Sequence, residues 1–197
     1  MHFFKRSMSR TLVFSVGKCP DLRQFSKNRS EKETTTDMKP IIVMAGTPVD
    51  TQMGMDCLST QGLPGVFCPI SEDPNQQTAF QISSTEEKID TVVSLLCAAQ
   101  REHGCERAFI YCNSLSGALD FQFVARETGL KIVTPLDVYR LLAPKYRSLA
   151  VIAANAQGTA GIERTLLSAN PDLTLRSTGL LPVVLGIEAG EDPDTLV

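Results

Sequence analysis

"PIIVMAGTPVD", residues 40–50, decides the architecture. From Pro40 to Gly46 it is a short apolar run rich in β-branched residues and ended by glycine, the pattern of a strand buried on both faces. A helix start follows. Thr47 can cap, Pro48 fits the first helical position where its missing N–H costs nothing, and Asp50 can answer the free amides of the first turn.

Working outward, this helix is expected to run to about Gly62. "GLPGVFCPI" gives a second strand around Val66 to Cys68, closed by Pro69, and the polar, turn-rich "SEDPNQQTAFQIS" reads as a long loop. "STEEKIDTVVSLLCAAQREHG" is the clearest helix: Ser84 and Glu87 form a capping-box pair, Ile89, Val92, Val93 and Leu96 repeat near 3.6 residues, and Gly104 stops it. Then "RAFIYC" reads as a strand, "SGALDFQFVARETG" as one helix, "LKIV" as a strand and "TPLDVYRLLAP" as a helix. "SLAVIAAN" and "GTAGIERTLLSANP" repeat the strand and helix. The succession predicts an α/β fold with a mostly parallel sheet flanked by helices. Thr-Pro-x-Asp occurs at 47–50 and again at 134–137, either as an echo of two related halves or as good helix-start chemistry used twice.

With 197 residues and 43% hydrophobic content, the chain has enough apolar sequence for a real core. Charge is unevenly placed: residues 1–30 carry seven Lys or Arg against one acid, and residues 31–197 carry twelve against 21, about +6 and −9. Residues 1–39 are therefore expected to be a basic extension and linker, read either as a disordered extension or as an organelle-targeting peptide, with Met38 a candidate start of the folded part. The corresponding locations are the cytoplasm or an organelle. The acidic body argues against nucleic acid as a main partner, and no run of about 20 apolar residues marks a membrane span. The six cysteines contain no C-x-x-C and have two histidines to help them, which disfavours a zinc site and fits free thiols. Phosphate-loop, dinucleotide and H-E-x-x-H motifs are absent from the sequence.

In parallel α/β folds ligands gather beyond the carboxyl ends of strands, where helix starts present N–H groups. "AGTPVDTQMG" and "YCNSLSG" land there. Thr47 and Thr51 offer hydroxyls, the amides near Asn113, Ser114 and Ser116 suit a carboxylate, and Asn113 suits an amino or carbonyl group. Cys112 has two readings. It is a thiol at a helix start, where aligned amides favour a thiolate, or a small buried strand residue. Asp50 likewise either tunes Cys112 or stabilises its own helix start.

"VMAGTPVDTQMG", "FIYCNSLSG" and "TPLDVYRLLAPKYRSLAVIAANAQGTAGIERTLL" together resemble the aspartate/glutamate racemase family over approximately residues 40–185. The resemblance implies two similar α/β halves enclosing a small acidic amino acid or dicarboxylate, with no pyridoxal phosphate, metal or other cofactor. Residues 40–133 would be the first half and 134–197 an incomplete second half. In that family one cysteine removes the α-proton and a second, from the opposite half, returns a proton to the other face. The resemblance assigns the first role to Cys112, substrate contacts to Asn113, Ser114, Thr47 and Thr159, and a carboxylate near the first thiol to Asp50. No cysteine follows Cys112, so the second thiol of the family is missing from these residues. The alternatives are a non-catalytic binder of a small acid and a one-cysteine isomerase or decarboxylase. An incomplete second half would also expose apolar faces and favour a homo-oligomer.

Overall fold

The computed structural model describes Leu12–Ser15, residues 38–154, residues 156–192 and Thr195. The rest of the expected 1–39 extension lies outside the described residues. The elements are β1 (Leu12–Ser15), β2 (Ile41–Ala45), α1 (Pro48–Ser59), β3 (Gly65–Pro69), α2 (Pro74–Ile82), α3 (Thr85–His103), β4 (Arg107–Ile110) and α4 (Asn113–Ala118). They continue as α5 (Phe121–Thr128), β5 (Lys131–Val133), α6 (Pro135–Leu142), β6 (Ser148–Ala153), α7 (Ala156–Ala169), β7 (Thr174–Gly179) and α8 (Leu181–Glu188).

The α/β class expected from the sequence holds. One sheet has the order β3-β2-β4-β5 with every neighbouring pair parallel. Its central strand is the opening stretch: Ile42, Val43, Met44 and Ala45 are all fully buried, as a strand covered on both faces requires. The second sheet, β1-β6-β7, pairs β6 with β7 in parallel and β1 with β6 antiparallel. Leu12–Ser15, expected to lie in an extension, is thus a strand; its apolar "LVFS" is able to continue a ladder that a purely charged tail would not.

Two other expectations change. The loop over "SEDPNQQTAFQIS" contains α2, started by Asp73, whose carboxylate accepts from the amides of Asn75 and Gln76, with Pro74 at the first position. The single helix over "SGALDFQFVARETG" is two, because Asp120 accepts from Gln122 and Phe123 amides and restarts the chain as α5. Beyond α7, β7 and α8 extend the strand-helix alternation. The long helix behaves as expected: Ser84 and Glu87 make the reciprocal box, and Gly104 ends it in the left-handed region with φ of 65°.

Among the described residues the chain divides into two compact units. One holds β2 to β4 with Tyr111, and returns for α5 and β5. The other holds β1, Cys112–Ala118 and everything from Thr134 onward. Residues 112–118, expected within the first half, therefore belong with the elements that follow Thr134. A close helix approach explains it: α4 packs on α7, where a Cβ added at Gly117 would lie 3.4 Å from the Cα of Gly161, and the reverse. The core of that unit joins Leu149, Val151 and Ala153 of β6 to Ile162 and Leu166 of α7 and Leu136 of α6. No helix among the described residues is long and apolar enough to cross a membrane.

Candidate active site

In the unit built on β2, the loops after the strands are tied to one another. Ile70 N donates to Ala45 O at 2.9 Å, the buried Ser71 hydroxyl donates to Gly46 O, and Tyr111 N donates to Met44 O at 2.7 Å. Thr47 caps α1, its Oγ1 accepting from Asp50 N at 3.1 Å. Thr51 is fully buried, and its hydroxyl donates to Thr47 O at 2.8 Å while its amide donates to the same carbonyl at 3.0 Å. In this geometry Thr51 spends its hydroxyl hydrogen on the helix start that carries Thr47 and Asp50. Thr47 and Asp50 are both half-buried.

In the other unit, Cys112 is buried and its Sγ lies 3.3 Å from Ser114 Oγ, with either atom able to donate. Its carbonyl accepts twice from Ser116, from the amide at 3.1 Å and the hydroxyl at 2.6 Å, which fixes the first turn of α4. Asn113 is held from another helix: the Tyr139 hydroxyl donates to Asn113 Oδ1 at 3.0 Å. Tyr139 packs against the core of this unit, and α6 is anchored by a reciprocal box in which Asp137 accepts from Thr134 N and Oγ1 while Asp137 N returns a bond to Thr134 Oγ1. Thr159 is buried in the first turn of α7, the helix against which α4 packs.

The structure thus gathers Cys112, Asn113 and Ser114 on one helix start in the same unit as Thr159, and it places Thr47, Asp50 and Thr51 together on another helix start. Sequence reading missed Tyr139, which meets Asn113 from 26 positions away with no local signal. The Thr-Pro-x-Asp device that starts α6 was the available clue, since it fixes where Tyr139 sits.

The other thiols have a different character. Burial pushes Cys68 from 9.0 up to about 11 and raises Cys105 as well, so both hold their protons at neutral pH. Cys57 is exposed and Cys97 half-buried. Among the described residues no group of three or more His, Cys, Asp and Glu is placed to hold a metal ion.

No protein-family model and no curated protein matches the sequence. Among solved structures, the fold is similar to that of glutamate racemase from Francisella tularensis subsp. tularensis SCHU S4, crystallised in complex with D-glutamate. The TM-score is 0.59 at 15% sequence identity, over 77% of this chain and 57% of that one. The present chain therefore spans less than two thirds of the length of the structure it matches. At this identity the likeness is one of fold.

Proposed function

We propose that the chain carries one of the two proton-transfer groups of a cofactor-independent racemase acting on a small acidic amino acid, glutamate or aspartate. The observation that carries the reading is the Cys112–Ser114 contact, set on a helix start whose Asn113 is held by Tyr139, in a fold similar to that of a glutamate racemase.

The chemistry follows from those groups. Cys112, as thiolate, takes the α-proton: an S–H bond forms, the Cα–H bond breaks, and the electron pair moves into the α-carboxylate as an ene-diolate. Ser114 Oγ, 3.3 Å from the sulfur, serves both protonation states, donating to the thiolate and accepting from the thiol. Asn113 and Ser114 hold the substrate's polar groups, and Thr159 adds a hydroxyl. On the family resemblance Thr47 contacts substrate and Asp50 tunes the thiol, with Thr51 supporting their loop.

Inversion needs a second acid on the opposite face of Cα. The other cysteines all precede Cys112 in the chain, whereas the resemblance takes the second thiol from the later half. In this reading the second thiol comes from outside these 197 residues. Incubation with each enantiomer of glutamate and aspartate in heavy water tests the reading. Deuterium at Cα is expected for at least one of them; binding without deuterium uptake would replace the enzyme with a binder of small acids, and neither would sink both.

A further inference from the structure

We propose that β1 is an intramolecular guard on the edge of β6, and that the edge it covers is a self-association surface: with β1 drawn away, β6 pairs with β6 of a second copy across a two-fold axis. This holds whether or not Cys112 moves a proton.

The three-stranded sheet has one strand suited to an edge and one that is not. β7, at one side, carries the exposed Arg176 and ends in the exposed Gly179, features that discourage a further strand from pairing. β6 has no such protection. Ser148–Ala153 reads "SLAVIA", without a charge or a proline; Leu149, Val151 and Ala153 are buried on one face, and Ala150 and Ile152 are half-buried on the other. A bare row of N–H and C=O groups along such a strand would be a template for another chain. What covers the row is β1, which lies more than 130 positions earlier in the sequence and supplies four residues, from Leu12 opposite Ile152 to Ser15 opposite Leu149. It is the one antiparallel strand among the described residues.

The direction of that pairing identifies the second occupant. A two-fold axis perpendicular to a sheet makes a strand and its symmetry mate antiparallel, and β1 shows that the β6 edge accepts an antiparallel strand. With the axis through Val151, Leu149 of one copy lies opposite Ala153 of the other, and Ala150 opposite Ile152. Buried positions then meet buried ones and half-buried positions meet half-buried ones. The pairing closes at two copies, because each β6 has one edge to give. Both copies must release β1, so a guard in place about ten times as often as not weakens the dimer by about a hundredfold.

The test uses the full chain under reducing conditions, so that its free thiols do not join copies. Successive N–H groups of a strand point to opposite sides, so Val13→Pro together with Phe14→Pro removes whichever of the two faces β6. Sedimentation velocity over a concentration series is expected to show dimers at about one hundredth of the concentration that the unsubstituted chain needs. Hydrogen exchange over residues 148–153 is expected to be fast in the substituted monomer and slow again in the dimer, while residues 41–45 of the other unit keep their rate. An excess of the peptide "RTLVFSVG", residues 10–17, is expected to return the dimer to monomer. Ser15→Pro, at the end of the ladder, is the milder variant should the two prolines unfold the unit, and it is expected to give the same shift in smaller measure. Substituted chains that stay monomeric would overturn the inference, as would open-ended aggregates in place of dimers, unchanged exchange over 148–153, or a dimer that the peptide leaves intact.

Discussion

Replacing Gly54 with alanine should destabilise the unit that carries Thr47 and Asp50, although alanine is the better helix former. Gly54 is a buried residue of α1, and a Cβ built on it would sit 2.6 Å from Val43 Cγ1, 2.9 Å from Tyr111 Cβ and 3.0 Å from Tyr111 Cγ. These neighbours have little room to yield. Val43 is fully buried on the central strand, and Tyr111 is bound through its amide to Met44 O. Overpacking of this kind costs up to about 3 kcal/mol, and the gain in helix propensity returns about 1, leaving a net loss of about 2 kcal/mol. Gly65 is the control. A Cβ there would meet Met55 Sδ at 2.7 Å and Met55 Cε at 3.0 Å, the flexible end of a long side chain that is able to swing aside. Because the chain forms two units, native-state hydrogen exchange at the β2 amides is a better assay than a single melting curve. Gly54→Ala is expected to speed their exchange by about thirtyfold, and Gly65→Ala much less. Equal effects, or slower exchange in Gly54→Ala, would refute the close approach of α1 to β2 and Tyr111.

Asp120→Ala should loosen the first turn of α5 by about 1 kcal/mol, read as faster exchange of the Gln122 and Phe123 amides; unchanged exchange would mean that α4 and α5 are separated by something other than this cap. Cys68 gives a pH dependence: burial raises its thiol from 9.0 to about 11, so between those values the folded chain binds the proton that the unfolded chain has released. Its contribution, at most about 3 kcal/mol, is complete below pH 9 and is lost as pH rises towards 11, so Cys68→Ala should show a flatter fall in stability across that window. The same slope in both chains would contradict this. Ser114→Ala removes the hydroxyl 3.3 Å from Cys112 Sγ and should slow α-proton exchange roughly fivefold to tenfold without altering the fold; an unchanged rate would leave Ser114 without a part in proton transfer.

What sequence made visible was whatever is written locally. β2 and α1 could be read because an apolar run and a Thr-Pro cap lie side by side, and α3 because its apolar stripe and both ends are explicit. α2 escaped because its residues are largely exposed and it has no apolar face; Asp73 and Pro74 were its only mark, easily taken for a turn. The break between α4 and α5 hides in Asp120, which looks like an ordinary polar helix residue until its carboxylate is seen bound to the two amides ahead of it. The site divides the same way. Cys112, Asn113 and Ser114 are consecutive and could be nominated together. The bond from Tyr139 and the approach of Gly117 to Gly161 join distant positions, so only the folded chain shows them.

The central claim is that Cys112 moves the α-proton of an acidic amino acid. Proton NMR of glutamate and aspartate in heavy water, with the unsubstituted chain and Cys112→Ala compared at equal concentration, tests it most directly. The account predicts loss of the α-hydrogen signal with the unsubstituted chain and none above background with Cys112→Ala. Equal exchange by the two proteins, or none by either, would contradict it.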